Sequence, residues 1–324
     1  MRRREFLGVL GGAAAMPVVA RAQQASIGFL HSGSPREWTH AVAAFQGSLK
    51  EAGYSDDQNV SIEYRWANDQ YDRLPNLAAD FVTRKPSLII VAGGGSLSAL
   101  AAKRATSAIP IVIAIGADPV RMGLVASLNR PGGNVTGVTF LLNALVAKRL
   151  ELLRELVPTA RLIGVIVDPV NPNAENDLRE TEDAARALGL RIFAAKARSE
   201  ADIEAAFEAF GRQKVDAVIL LPDPNFLSRR GQIVALAARH LLPTMYFGRD
   251  FVTAGGLMSY SASLTEAYRL AAGHASRILK GEKPADLPIL QPTKFEFVIN
   301  LKTAKALGLA VPLTLQASAD EVIE

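Results

Sequence analysis

Leu88-Ile89-Ile90-Val91-Ala92-Gly93-Gly94-Gly95-Ser96-Leu97-Ser98 and, a little further on, Ile111-Val112-Ile113-Ala114-Ile115-Gly116-Ala117-Asp118-Pro119 decide the fold. Each opens as an apolar run without polar alternation and ends in glycine, serine or aspartate. Strands buried on both faces read this way, and they belong to parallel sheets covered by helices. Ser98 to Thr106 carries helical spacing between them, so the unit is strand–helix–strand. Upstream, Ile27 to Leu30 reads as a buried strand. Thr39 to Ala52 reads as a helix with Ala41, Val42, Phe45 and Leu49 on one face and Gly53 as terminator. Val60 to Tyr64 and Leu74 to Arg84 continue the alternation.

The same grammar restarts after residue 140. Asn143 is the expected cap of a helix from Ala144 to Leu156, closed by Pro158. Leu162 to Val167, Arg191 to Ala195, Ala217 to Leu221 and Thr244 to Phe247 read as strands. Ala174 to Leu188, the segment capped by Ser199 and Asp202, and Arg229 to His240 read as the helices between them. Two consecutive doubly wound halves fit this pattern better than one large sheet. A last strand, Leu257 to Tyr260, leads into a helix from Leu264 to Leu279 with Ser263 and Glu266 as a capping box. Pro284, Pro288 and Pro292 mark a return passage before the strand Phe295 to Ile299 and a short helix ending at Gly308. The chain is expected to cross back between its halves here.

The N-terminus carries a different message. Arg2, Arg3 and Arg4, the apolar stretch Phe6 to Ala20 and the Ala20-Arg21-Ala22 pattern read as a secretory signal peptide, with Arg3-Arg4-Glu5-Phe6-Leu7 of twin-arginine type. The expected mature protein is Gln23 to Glu324, soluble and periplasmic. The whole chain has 36 Lys+Arg against 32 Asp+Glu; removing four Arg and one Glu leaves 32 against 31, a net charge of +1. The basic balance thus belongs to targeting and gives no ground for a nucleic-acid partner. Cysteine is absent, which excludes thiol nucleophiles, thiolate metal sites and redox motifs.

In open α/β sheets ligands bind beyond the carboxyl ends of the strands. That rule selects His31-Ser32-Gly33-Ser34, Gly93 to Ser98, Gly116 to Pro119, Asp168 to Asn173, Pro222 to Asn225 and Gly248-Arg249-Asp250. Candidate ligand-binding residues are Ser32, Ser34, Trp38, Gly95, Ser96, Ser98, Ala117, Asp118, Asn173, Asp223, Tyr246, Arg249 and Tyr260. Around Gly93 to Ser98 the backbone can approach a carboxylate, and a tight turn with a serine N-cap is an equal reading. Asp118 is a candidate for a ligand ammonium, or the cap of its own turn. Arg249 is a candidate carboxylate clamp, or the partner of Asp250 or Glu266. His31, at a strand end, is a further candidate contact. Nucleotide motifs fail on spacing: neither G-x-G-x-x-G nor G-x-x-x-x-G-K-[ST] is present. No histidine pair has metal spacing, and no metal, cofactor or catalytic residue is expected.

Several stretches carry a family resemblance. They are Asn59-Val60-Ser61-Ile62-Glu63-Tyr64-Arg65-Trp66, Gln70-Tyr71-Asp72-Arg73-Leu74-Pro75, Asn129-Arg130-Pro131-Gly132-Gly133-Asn134-Val135-Thr136-Gly137, Gly255-Gly256-Leu257-Met258-Ser259-Tyr260 and Pro292-Thr293-Lys294-Phe295-Glu296. From about Ile27 to Glu324 the chain resembles the periplasmic substrate-binding proteins of ABC transporters of the tryptophan/tyrosine type, with a type I periplasmic-binding fold. Asp250 and Ser261 depart from that pattern, standing where Glu and Gly are usual.

The resemblance implies two doubly wound parallel-sheet lobes joined by three crossovers, with lobe 1 at 23–140 plus 259–284 and lobe 2 at 141–258 plus 285–324. It implies a small carboxylate-bearing solute, an amino acid or aromatic or organic acid, held between them by a monomer and delivered to ABC permease subunits in the inner membrane. A ligand-sensing partner of a membrane receptor uses the same fold. An exported α/β hydrolase would need a nucleophile–base pair, and only the neighbours His31 and Ser32 offer one.

Overall fold

The structure is a computed structural model that describes residues 24–324 apart from Asp57. The expected signal peptide lies outside the described residues. No described helix is long and apolar enough to cross a membrane.

The first lobe begins with β1 (Ala25–His31), α1 (Thr39–Glu51), β2 (Val60–Trp66), α2 (Leu74–Arg84), β3 (Leu88–Gly94), α3 (Ser96–Ala105), β4 (Ile111–Ile115) and β5 (Val135–Thr139). Its strands form a parallel sheet in the order β2-β1-β3-β4-β5. The two stretches that decided the fold are its centre: Ile89 to Val91 and Ile111 to Ile115 are fully buried. The edge strand β5 escaped the sequence reading because Thr136, Gly137 and Thr139 break its apolar pattern. Gly137 has φ +136°, and a Cβ there would collide with the backbone of Ile113 on β4, so only glycine lets this strand pair.

A 3-10 turn at Leu142–Leu145 leads into α4 (Val146–Leu156), so that helix starts two residues later than expected. The second lobe continues through β6 (Leu162–Val167), α5 (Ala174–Ala187), β7 (Arg191–Lys196), α6 (Glu200–Gln213) and β8 (Ala217–Leu220). Then come α7 (Pro224–Ser228), α8 (Arg230–Arg239), β9 (Thr244–Tyr246), α9 (Arg249–Thr253) and β10 (Met258–Ala262). The chain returns to the first lobe for α10 (Leu264–Leu279). It then closes the second lobe with β11 (Phe295–Asn300), α11 (Leu301–Ala306), α12 (Leu313–Ala317) and β12 (Glu321–Ile323). This sheet runs β12-β11-β10-β9-β8-β6-β7, parallel except where β10 meets β11. The Ser199–Asp202 capping box on α6 is present with both reciprocal bonds.

The lobe limits expected from sequence need two corrections. Residues 259–262 lie in β10 and pair with Phe295 to Val298, so they belong to lobe 2. Residues 285–290 stay with lobe 1: Leu290 N–H donates to Gly137 O at 2.8 Å and Ile289 N–H to Leu128 O at 2.7 Å. The crossovers are therefore near 140–145, 262–264 and 290–295. Glu266 acts at the last of these. Ser263 caps α10, but the Glu266 carboxylate, instead of closing a capping box, accepts from Lys294 N at 2.9 Å and Thr293 Oγ1 at 3.3 Å. The passing strand supplies donors that the cap residue would otherwise have given.

Arg149 of α4 braces the hinge region. It is fully buried and its Nε donates to Tyr260 O at 2.8 Å, its Nη1 to Leu142 O at 3.1 Å. Those carbonyls lie on the first crossover and on the strand that leads into the second.

Candidate functional site

All the loops selected by the strand-end rule meet where the two sheets face each other. A cleft lies there, lined by residues of both lobes. Trp38, Phe140, Leu142, Pro224, Leu227 and Phe247 give it an apolar wall drawn from both lobes. Its polar lining is His40, Asp223, Arg249, Asp250, Thr265 and Glu296, with Ser261 between them. A narrow recess continues from it past Asp223 and Pro224 to Ser32, Tyr71, Gly95, Ser96 and Asn171. A third small space lies between Ser96 and Ala117 on one side and Asn173 and Asp177 on the other.

The lobes touch across these spaces. Asn173 Nδ2 donates to Ser96 Oγ at 3.2 Å, and Tyr71 hydroxyl lies 3.2 Å from Asp223 Oδ1. Arg121 pairs with Glu180 at 2.9 Å, and His40 lies 3.9 Å from Asp250. Asp223 is the most constrained acid. It caps α7 by accepting from Asn225 N at 2.8 Å, and it accepts from Asn171 Nδ2 at 2.9 Å. Burial, then the neighbouring Asp168 carboxylate, pushes it up to about 7 against the pull of those donors. Asp177 is also pushed up to about 7, by burial first and then by Glu180. Asp168 is buried and paired with Arg198 at 2.9 Å.

Of the residues singled out from sequence, Ser32, Trp38, Gly95, Ser96, Ala117, Asn173, Asp223 and Arg249 line the cleft or its recesses. Gly95 closes against Pro224 of the opposite lobe, 3.1 Å from where its Cβ would sit. Arg249 pairs with Glu321 at 2.7 Å, a partner outside the pairs expected for it.

Others are placed elsewhere. Ser98 turns back on its own helix start, its hydroxyl donating to Ala92 O and Gly95 O. Asp118 caps its turn, accepting from Val120 N at 2.9 Å and Arg121 N at 3.2 Å, so its carboxylate serves the loop. Tyr246 is buried and stacked on Phe251 at 4.8 Å, lining an interior cavity away from the cleft. Tyr260 stacks on Phe295, and Ser34 sits outside the lining of all three spaces. His31 is fully buried behind Trp38, bonded to Tyr268 hydroxyl at 3.2 Å and Gly33 N at 3.0 Å, and burial lowers it well below the usual histidine range. It is a neutral packing residue beneath the site.

Tyr71 and Asn171 were not among the candidates. Asn171 lay in a selected loop, but Tyr71 sits in a one-turn helix at Tyr71–Arg73 and meets Asp223 from the other lobe. No local spacing could announce that contact.

Residues 36–323 match the family described as ABC transporter substrate binding protein. The chain belongs to this family. Its members capture substrates and are not enzymes. The chain is 29% identical over 270 residues to a tyrosine-binding protein of Clostridioides difficile (strain R20291), covering 83% of this chain and 76% of that one. It resembles the ABC domain of Streptococcus pneumoniae in complex with L-Trp, at 26% identity and a TM-score of 0.85, over 93% of this chain and 100% of that one. A conserved domain protein of Vibrio cholerae gives 25% and 0.86 with the same coverage. The ligand-free, open structure of a Clostridium difficile substrate-binding protein, 24% identical, superposes with a TM-score of 0.69 over 93% of this chain and 99% of that one. As a member of this family, the chain is a solute-binding protein of an ABC transporter.

Proposed function

We propose that the chain is the exported, solute-capturing component of an ABC importer. It takes a small carboxylate-bearing aromatic solute, in the first instance L-tyrosine or L-tryptophan, between its lobes and presents it to permease subunits in the membrane. The observation that carries this reading is the cleft itself, whose apolar and aromatic wall comes from both lobes and whose carboxylates Asp223, Asp250 and Glu296 come from lobe 2, so that bringing the lobes together assembles it. The solute ring packs against Trp38, Phe140 and Phe247. Its ammonium faces Asp250 and Glu296, in place of Asp118. Its carboxylate faces the first turn of α3 at Gly95 and Ser96, a helix that starts without a side-chain cap. The tyrosine-binding relative and the relative in complex with L-Trp agree with that chemistry.

A thermal-shift panel tests the reading, because a ligand that prefers the native state raises the melting temperature. L-tyrosine, L-tryptophan and L-phenylalanine are compared with an aromatic acid lacking the amine and with a neutral sugar. A rise confined to the aromatic compounds supports it; a rise with the sugar alone contradicts it. Protease protection in intact and osmotically shocked cells checks the export.

A further inference from the structure

Tyr71 reaches out of lobe 1 into the cap of a lobe 2 helix. Its hydroxyl lies 3.2 Å from Asp223 Oδ1 and 3.1 Å from the amide nitrogen of Asn225. The Arg198 guanidinium sits 4.8 Å over its ring. Burial pushes the phenol far above its ordinary range, so the hydroxyl keeps its proton and donates to Asp223 while accepting from Asn225 N–H. Both residues are buried in this closed arrangement, and both bonds cross the cleft, so separating the lobes breaks them together.

We propose that Tyr71 is a closure latch and positioning residue for solute capture: its hydroxyl docks on the Asp223–Asn225 cap as the lobes close, and that closure takes up a proton from solvent onto Asp223. This rests on the reading that the solute is captured by lobe closure.

The electrostatic surroundings give the direction. Asp223 faces Asp168 and Asn171 from the loop after β6, Asp177 from α5, Asn225 from α7 and Tyr71 from lobe 1, which itself faces Asp69. Arg198 pairs with Asp168, whose charge still raises Asp223, and the hydrogen bonds that Asp223 accepts come from the neutral donors Asn171 Nδ2, Asn225 N and Tyr71 hydroxyl. In an open cleft water solvates the carboxylate and holds it in the ordinary acidic range. Closure removes that water and raises the proton affinity. The closed form then binds more protons than the open one, and its population rises as pH falls through neutrality.

Small-angle scattering on the unliganded full-length mature chain tests this without any ligand. The wild type is expected to expand as pH rises from 6 to 8.5. Asp223→Asn is expected to stay compact over the range, because its neutral amide needs no proton. Tyr71→Phe, which keeps the ring under Arg198, is expected to be more open at every pH and to bind L-tyrosine about tenfold more weakly, the size of one or two lost hydrogen bonds. A wild type whose dimensions do not change with pH overturns the proton linkage. A Tyr71→Phe curve that overlays the wild type overturns the latch. If L-tyrosine leaves the wild type untouched while the scattering behaves as stated, the ligand reading fails and the latch stands.

Discussion

Asn173 and Ser96 meet across the cleft, the Asn173 Nδ2 donating to the Ser96 hydroxyl at 3.2 Å. Asn173 precedes α5 in lobe 2 and Ser96 opens α3 in lobe 1, so the bond exists only while the lobes are together. Asn173→Ala is expected to weaken solute binding roughly fivefold, about 1 kcal/mol. The melting temperature of the unliganded protein should move little, because no lobe core is touched. Titration calorimetry beside a melting curve separates the two effects.

Asp118 gives the opposite expectation. Its carboxylate holds the turn at Val120 and Arg121, so Asp118→Ala should cost about 1 kcal/mol of stability, as the loss of a cap does. Its affinity for aromatic amino acids should match the wild type. A large loss of affinity at unchanged stability would restore the ammonium role that its position after β4 first suggested.

Arg149 is buried without a carboxylate partner, and its Nη2 has no hydrogen-bond partner among the described residues. Burial lowers its proton affinity to about 9, so it stays charged at neutral pH. Arg149→Met removes the donors that reach Leu142 O and Tyr260 O at the hinge. A loss of about 2–4 kcal/mol is expected in a denaturant titration. Arg149→Lys, which keeps a charge and fewer donors, should recover part of it.

His274 supplies a pH dependence with a defined sign. It is buried in α10 with Nε2 2.8 Å from Pro288 O, and burial holds its folded-state value below the ordinary one. The unfolded chain takes up a proton near pH 6.5 while the folded chain resists it, so stability from this group is present above that pH and is lost on acidification. His274→Asn lacks the group. The gap in melting temperature between wild type and variant should narrow from pH 7.5 to 5.5; a constant gap would mean that His274 does not titrate differently in the two states.

Most of the lobe architecture was legible because buried parallel strands announce themselves as unbroken apolar runs. Ile111 to Ile115 and Leu162 to Val167 were read to the residue. The misses have physical causes. In β5, a glycine required by close approach and two threonines hide the strand. Helices α7 and α9, at Pro224–Ser228 and Arg249–Thr253, are too short for their spacing to show. For the site, strand-end position found the right loops but could not tell which side chains turn inward. Asp118 and Asp223 look alike in sequence, each an aspartate before a proline after a strand. The structure spends one on its own turn and carries the other across the cleft to Tyr71.

Titration calorimetry of wild-type Gln23–Glu324 with L-tyrosine and L-tryptophan tests the central claim most directly. One solute per chain is expected, at micromolar affinity or tighter, which corresponds to about 8 kcal/mol or more and lies within reach of one buried ring and a few charge-assisted hydrogen bonds. Absence of binding by either compound, from a protein that still melts cooperatively, would contradict it.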